Sequence, residues 1–369
     1  MKKVLIINPF GIGDVIFSTP LIEALKKNYP DSFIGYVCNK RVYDVIRSNP
    51  NLNKIYVHEK DDYRAVWQSS KLECIKRILS FSRSIIKEKF DLAIDLSLGY
   101  QFGLLLKLIG IRNRIGFNYR NRGRFLTRKI DIDGFNDKHV IEYNLDLLTL
   151  LGIDPGDYRV CPKIYLVKRD SVWADDFLKN NGISEKDMIV GVIPGCGASW
   201  GQDAKYRRWD KAAFASVADS VIERYGAKVV LFGSRREIEI CEDVRKMMKH
   251  EAVIACGKTS LRDFLGLLRR CKVVVTNDGG PLHMAVAIGV KTVSIFGPVD
   301  EKIYGPYPLN SSHIVISKTD LPCRPCYKKF KHNICEDRTC LNSIMPEDVL
   351  DAVHKLLSTG GQDVQQSMH

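Results

Sequence analysis

The residues with the clearest chemical potential lie in loops that follow short apolar runs. In "NPFGIGDVIFSTP", residues 8–20, two glycines and an acid come directly after "VLII". Glycine allows the backbone to approach a ligand closely at the start of a helix. Asp14 stands where a carboxylate either caps that helix or, kept ionised by the helix dipole, takes a proton from an incoming hydroxyl. The loop is not the dinucleotide fingerprint, because the third glycine of G-x-G-x-x-G would fall on Ile16 and no acid ends "SFIGYVC". A second loop, in "VVVTNDGGPLHMAVAIG" at 273–289, runs through Asn-Asp-Gly-Gly before Pro281 opens a helix with His283 in its first turn. The backbone N–H groups of Gly279, Gly280 and the helix start form a seat for a diphosphate, framed by Asp278 and His283. Taken alone, His283 reads equally as a capping or packing residue.

Three further segments carry candidate residues. "GCGASW" at 195–200 offers Gly197, Ala198 and Ser199 to a phosphate, or makes a plain tight turn. "IRNRIGFNYRNRGRFLTRK" at 111–129 gathers Arg112, Arg114, Arg120, Arg122 and Arg124 around aromatic rings, as a solvated face or as a surface for an acidic partner. Cys323, Cys326, Cys335 and Cys340 follow a C-x2-C-x8-C-x4-C spacing. That spacing suits tetrahedral zinc in a closed structural site; reduced thiols or a local disulfide are the alternatives.

The elements that must position these residues are strands alternating with helices. "KVLIIN", an amphipathic run from Asp14 to Lys27, "SFIGYVC", "KIYVH", "DLAIDLS" and "RIGF" predict a first parallel sheet wrapped by helices. The turn-rich segment 152–170 predicts a domain connection. Beyond it "MIVGVIP", "KVVLFG", "EAVIACG", "KVVVTND" and "KTVSIFG" predict a second doubly wound sheet of five strands. The boundaries expected are 1–160, 161–345 with a cysteine-rich segment at 323–340, and 346–369 for a terminal helix that crosses back to the first domain, followed by a frayed tail. A chain of 369 residues is too long for one ordinary core. Its formal charge of +13 points to an anionic partner: nucleic acid, an acidic membrane surface or a phosphorylated substrate. No targeting or membrane-spanning pattern is visible. The eleven scattered cysteines suit reduced thiols in a cytoplasmic protein.

The opening "VLIINPFGIGDVIFSTPLIEAL", the middle "PGCGASWGQDAKYRRWDKAAF", "VVLFGSRREIEIC" and "TNDGGPLHMAVAIGVKTVSIFGP" together resemble bacterial glycosyltransferase family 9 over nearly the whole chain. Members of that family include the ADP-heptose:lipopolysaccharide heptosyltransferases. The resemblance implies an α/β GT-B fold, in which two Rossmann-like doubly wound domains face each other across a cleft. The first domain would hold the acceptor and the second the nucleotide sugar. The activity implied is an inverting, metal-independent transfer of heptose from ADP-L-glycero-D-manno-heptose to a lipopolysaccharide-core or related surface-glycan acceptor. A family member using another nucleotide sugar, or a non-catalytic protein that binds sugar nucleotides or nucleic acid, is the alternative.

Residue by residue, Asp14 matches the family's proposed catalytic base. Asp278, Gly279, Gly280 and His283 match the sugar-nucleotide loop, and Glu237 matches an acid that contacts the ribose. In "KYRRW" the family's basic residue falls on Arg207, with Lys205 two residues earlier, and Asp210 replaces a proline common after the tryptophan; either cation is the candidate for the diphosphate. Gly13 and the five arginines fall on the acceptor side. The resemblance requires no catalytic cofactor, so any zinc would be structural. It places the protein in the cytoplasm, in peripheral contact with the anionic inner face of the inner membrane, and with no nucleic-acid partner.

Overall fold

A computed structural model describes residues 2–158, 160–197, 201–331, 333 and 335–358. The chain divides into two compact units, Met1–Tyr165 and Leu166–His369. Among the described residues each unit is built on one six-stranded parallel sheet.

The first sheet comprises β1 (Lys3–Ile7), β2 (Phe33–Cys38), β3 (Lys54–Val57), β4 (Leu92–Asp95), β5 (Asn113–Tyr119) and β6 (Arg128–Ile132). They lie in the order β3-β2-β1-β4-β5-β6. The central strands are near-continuous apolar runs, as expected of a parallel sheet covered by helices on both faces. Leu5, Ile7, Val37 and Ala93 are fully buried and pack with Phe90 and Leu106. The amphipathic run after β1 forms two helices, Ile12–Phe17 and Thr19–Asn28, where one was expected. Pro20 supplies no N–H and so favours a new helix start. Ser18 fills the break, its hydroxyl donating to the Val15 carbonyl at 2.7 Å and lying 2.7 Å from the Tyr36 hydroxyl.

The second sheet comprises β7 (Ile189–Ile193), β8 (Lys228–Leu231), β9 (Val253–Ile254), β10 (Val273–Asn277), β11 (Lys291–Ile295) and β12 (His313–Ile316). Its order is β12-β11-β10-β7-β8-β9, the same winding as the first. Sequence periodicity missed β6 and β12, both edge strands. β6 reads "RKIDI", too charged to resemble a core strand. The terminal helix Pro346–Ser358 does not behave as expected either. Val349, Leu350, Val353 and Leu356 belong to the second unit's own core, with Val275, Val293 and Phe214.

Two helices of this unit, Lys168–Asn180 and Leu261–Arg270, come unusually close. A Cβ on Gly266 would lie 2.0 Å from the Asp170 carbonyl oxygen. Across the same contact the Arg262 guanidinium grips both oxygens of the buried Asp170 carboxylate, its Nε at 3.0 Å from Oδ1. Asp170 also accepts the Val167 N–H at 2.7 Å. Removing one partner of a buried ion pair strands the other charge. Arg262→Ala is therefore expected to lower unfolding stability by about 3–5 kcal/mol, read as a fall in the urea midpoint. An unchanged midpoint would show that the pair contributes nothing.

Candidate active site

In each sheet the winding reverses between two central strands, β1 and β4 in one and β7 and β10 in the other. Loops leaving the carboxyl ends of such a pair diverge and open a crevice, where doubly wound sheets bind ligands. Asp14, and Asp278 with Gly279 and Gly280, stand in those loops or in the helix turn that follows them.

In the first unit, two buried asparagines shape the loop after β1. Asn8 donates to the Asp14 carbonyl at 3.0 Å and accepts the Phe10 N–H at 3.3 Å. Asn39, just beyond β2, donates to the Phe10 carbonyl at 2.6 Å and to the Pro9 carbonyl at 3.2 Å. Asp14 is thereby held in the first turn of its helix, where its carboxylate accepts the Gly11 N–H at 3.2 Å. It caps the helix and remains partly exposed. Gly13, expected beside the acceptor, adjoins it in the same helix. Desolvation outweighs the Gly11 bond and lifts the Asp14 pKa to about 6. Burial, more than the dipole of a six-residue helix, sets its acidity.

A second carboxylate, not singled out in the sequence, ends β4. Asp95 pairs in register with Ile7, is buried, and accepts the Ser97 N–H at 2.9 Å. Burial lifts its pKa to about 6 as well. The visible signal was an acid closing the apolar run "LAI", at the strand neighbouring β1.

The five arginines separate. Arg112 and Arg114 lie at the amino end of β5, the opposite sheet edge from Asp14, which corrects the expectation that all five form one acceptor patch. The Arg114 guanidinium is turned onto backbone, donating to the carbonyls of Phe125 at 2.7 Å and Arg112 at 3.1 Å and to that of Ile111, so it ties down the loop between β5 and β6. Arg120 and Arg122 follow the carboxyl end of β5 and lie 5.0 and 5.7 Å from the Tyr119 ring centre. Arg124 lies 4.9 Å from the ring centre of Tyr100, at the start of the helix after β4.

In the second unit, Asn277 and Glu237 organise the edge. The fully buried Asn277 amide donates to the carbonyls of Pro194 at 2.9 Å and Gly195 at 3.1 Å, while its oxygen accepts the Trp209 N–H at 2.9 Å. Glu237 accepts the N–H groups of Cys196 at 3.1 Å and Gly197 at 3.0 Å on one oxygen, and the Ser234 N–H at 2.9 Å and hydroxyl at 2.7 Å on the other. A carboxylate has about four lone-pair sites, and four donors fill them here. This structural use of Glu237 is the part sequence reading missed. Gly279 is required by close approach, since a Cβ there would lie 2.3 Å from the Cys196 carbonyl oxygen. Gly280 then begins the helix Gly280–Ala287, whose first intrahelical bond runs from the His283 N–H to the Gly279 carbonyl at 3.4 Å. His283 is buried in that turn.

Asp278 and Arg207 form a buried pair, Nη2 to Oδ2 at 2.6 Å, while Asp278 Oδ1 has no hydrogen-bond partner. Burial raises the Asp278 pKa and the Arg207 charge opposes the rise. Lys205, in the same 3-10 segment Gly201–Arg207, is exposed, its ammonium 5.0 Å from the Tyr206 ring centre. Asp210, in place of the family's proline, caps the helix Lys211–Tyr225 by accepting the N–H groups of Ala212 at 2.8 Å and Ala213 at 3.2 Å. Ser199 lies outside the described residues.

The four cysteines expected to hold zinc lie near one another: burial, with the neighbouring Cys326, Cys323 and Cys335 thiols, raises the Cys340 pKa. Among the described residues no three His, Cys, Asp or Glu side chains are grouped to hold a metal ion. Cys340 is buried in the core with Leu341 and Ile344, whereas Cys323 is exposed, and the Cys326 thiol donates to the Cys323 carbonyl at 3.1 Å. All four are free thiols.

Comparison with known proteins bears on the fold and the family. Lipopolysaccharide heptosyltransferase 3 of Escherichia coli K12 is 24% identical over 353 residues, 94% of this chain and 95% of that protein. A solved glycosyl transferase family 9 structure from Veillonella parvula superposes with a TM-score of 0.80 at 25% identity, covering 97% of each chain. The structure of E. coli ADP-heptose lps heptosyltransferase II gives 0.73 at 22% identity, over 97% of this chain and 99% of that one. These likenesses show the GT-B fold of two Rossmann-like units. The family model for glycosyltransferase family 9 (heptosyltransferase) matches residues 78–335, and the chain belongs to that family.

Proposed function

We propose that the chain transfers heptose, with inversion, from ADP-L-glycero-D-manno-heptose to a lipopolysaccharide-core or related acceptor. The observation that carries this reading is the carboxyl edge of the second sheet, where Gly279 packs on Cys196 beside the Arg207–Asp278 pair and the exposed Lys205. Such an edge suits a diphosphate, through helix N–H groups and fixed cations. The name of the E. coli structure of the same fold, an ADP-heptose lps heptosyltransferase, supports the donor.

In the reaction proposed, Asp14 accepts the proton of the acceptor hydroxyl. The hydroxyl oxygen forms the new bond to the anomeric carbon as the bond to the diphosphate oxygen breaks on the opposite face, its electron pair leaving with ADP. The departing charge is met by Lys205, by the first turn of Gly280–Ala287 and by His283. These groups supply the stabilisation a metal would give, so the transfer needs none. The Arg207–Asp278 pair forms the floor of this seat, Glu237 holds the loop along its nucleotide side, and Ser199 stays on the donor side. Gly13 leaves room for the acceptor, and Arg120, Arg122 and Arg124 attract its anionic groups. The protein works in the cytoplasm at the inner face of the inner membrane, with no nucleic-acid partner.

Asp14→Asn keeps a capping oxygen and removes the base. Turnover is expected to fall by roughly 10²–10⁴-fold with donor affinity retained; near-normal turnover in the folded variant would reduce Asp14 to a cap. Because the ionised form is the base, wild-type turnover should fall as pH drops below about 6. A profile flat from pH 7 to 5 would refute that role.

Lys205→Ala should weaken ADP binding roughly tenfold or more, the scale of a charge-assisted contact, without moving the unfolding midpoint. Arg207→Ala strands the buried Asp278 and should lower both. Calorimetry with ADP, alongside urea unfolding, separates the two cations. Equal loss of ADP affinity with unchanged stability in both variants would contradict the division of labour.

Replacing Arg120, Arg122 and Arg124 together by glutamine should raise the acceptor KM and leave ADP affinity unchanged, an effect that fades with salt. The same change made at Arg112 should have little effect on acceptor KM. The reverse pattern would place the acceptor at the other edge.

A further inference from the structure

After β3 the first unit carries two consecutive helices, Lys60–Ser69 and Lys71–Ile86, joined at Ser70, whose hydroxyl accepts the Glu73 N–H at 3.3 Å. Along the second helix only Cys74, Ser82 and Ile85 are buried. Leu72 is 65% exposed, and Ile75, Ile78, Leu79 and Ile86 are exposed beside it, with Trp67 49% exposed on the preceding helix. At about 100° per residue, Leu72, Ile75, Ile78, Leu79 and Ile86 share one face, which has the buried Ser82 at its floor and adjoins the side buried at Cys74 and Ile85. Lys76, Arg83 and Lys87 follow along its outer border. From Lys71 to Lys89 the sequence has six cations and two acids. Both acids are paired: Glu73 with Arg77 at 3.3 Å and Glu88 with Lys54 at 2.7 Å.

A contiguous apolar face left in water marks a surface that something covers. Its cationic border selects among occupants. In a symmetric dimer that border would confront itself, whereas an anionic lipid surface complements it and accepts the apolar face among its acyl chains. Among the described residues no helix is long and apolar enough to cross a membrane, so contact of this kind lies in the interface plane. We propose that the Lys71–Ile86 helix is the membrane-docking surface of this protein, lying in an anionic leaflet with Leu72, Ile75, Leu79 and Ile86 immersed and Lys76, Arg83 and Lys87 at the headgroups. The inference deepens the reading of a lipid-borne acceptor, and it rests on that reading for its purpose.

Co-sedimentation of the full chain with mixed phosphatidylglycerol and phosphatidylcholine vesicles, without donor or acceptor, tests it. Wild-type protein should bind these and not pure phosphatidylcholine vesicles. Leu72→Gln with Leu79→Gln, and separately Lys76→Glu with Arg83→Glu, should each weaken binding roughly tenfold or more. Thermal midpoints and turnover on a soluble, delipidated acceptor should be unchanged. Equal vesicle binding by wild type and both variants would overturn the proposal. So would a wild-type dimer that the Leu72 and Leu79 changes dissociate without any effect on vesicles, which would assign the face to a second copy. Because the vesicle assay involves no sugar nucleotide, failure of the transfer reading would show in turnover alone.

Discussion

The constraint on which the rest depends is the reversal of winding at the centre of each parallel sheet. With strands ordered β3-β2-β1-β4-β5-β6 and β12-β11-β10-β7-β8-β9, the helices after β1 and β4, and after β7 and β10, must pass to opposite faces. The loops between them part, leaving backbone and side chains at the carboxyl edge with no helix above them. In the first unit that edge receives Asp14 and Asp95; in the second it receives Gly195–Gly197 and Asp278–Gly280. The chemistry proposed for the two units differs because the residues delivered differ. The geometry that delivers them is the same.

Loops so placed would be loose without further restraint, and the protein restrains them with buried polar side chains. An unsatisfied buried amide or carbonyl is costly, so each asparagine or glutamate that satisfies several such groups fixes a single loop conformation. Asn8 and Asn39 do this around Asp14. Asn277 binds the β7 loop and the Trp209 segment to β10, and Glu237 binds the β7 loop to β8. A consequence is the tuning of Asp14. Though partly exposed, the carboxylate held against this loop loses solvation, and its pKa moves to about 6.

Much of this was legible in the sequence where the signal was local. The apolar runs ending in "NPFGIGD" and "TNDGGP" showed central strands, their order of appearance and the loops to watch, because strand burial and glycine-rich turns are written within a few residues. What was not legible depended on distant partners. Arg114 has the same type and neighbourhood as Arg120, and only the fold of the β5–β6 connection turns one onto backbone carbonyls and leaves the other at the carboxyl edge. Glu237 matches a ribose-contacting acid in the sequence, and only the arrival of Cys196 and Gly197 from β7 shows that its carboxylate holds a loop. Asp95 looked like one more strand residue because its place beside β1 is a matter of strand order. The cysteine spacing suggested a closed metal site; what it did not show is that Cys340 also reaches the core, through the short helix it forms with Leu341.

The central claim is an inverting sugar transfer that runs on fixed protein charges. The most direct measurement follows ADP release from ADP-L-glycero-D-manno-heptose in the presence of a chelator, with and without a lipopolysaccharide-core acceptor, and assigns the anomeric configuration of the product by NMR. The expected result is acceptor-dependent release of ADP, undiminished by the chelator, with a glycosidic bond of configuration opposite to that of the donor. Release that requires added metal, a product that retains the donor configuration, or no acceptor-dependent release at all would contradict it.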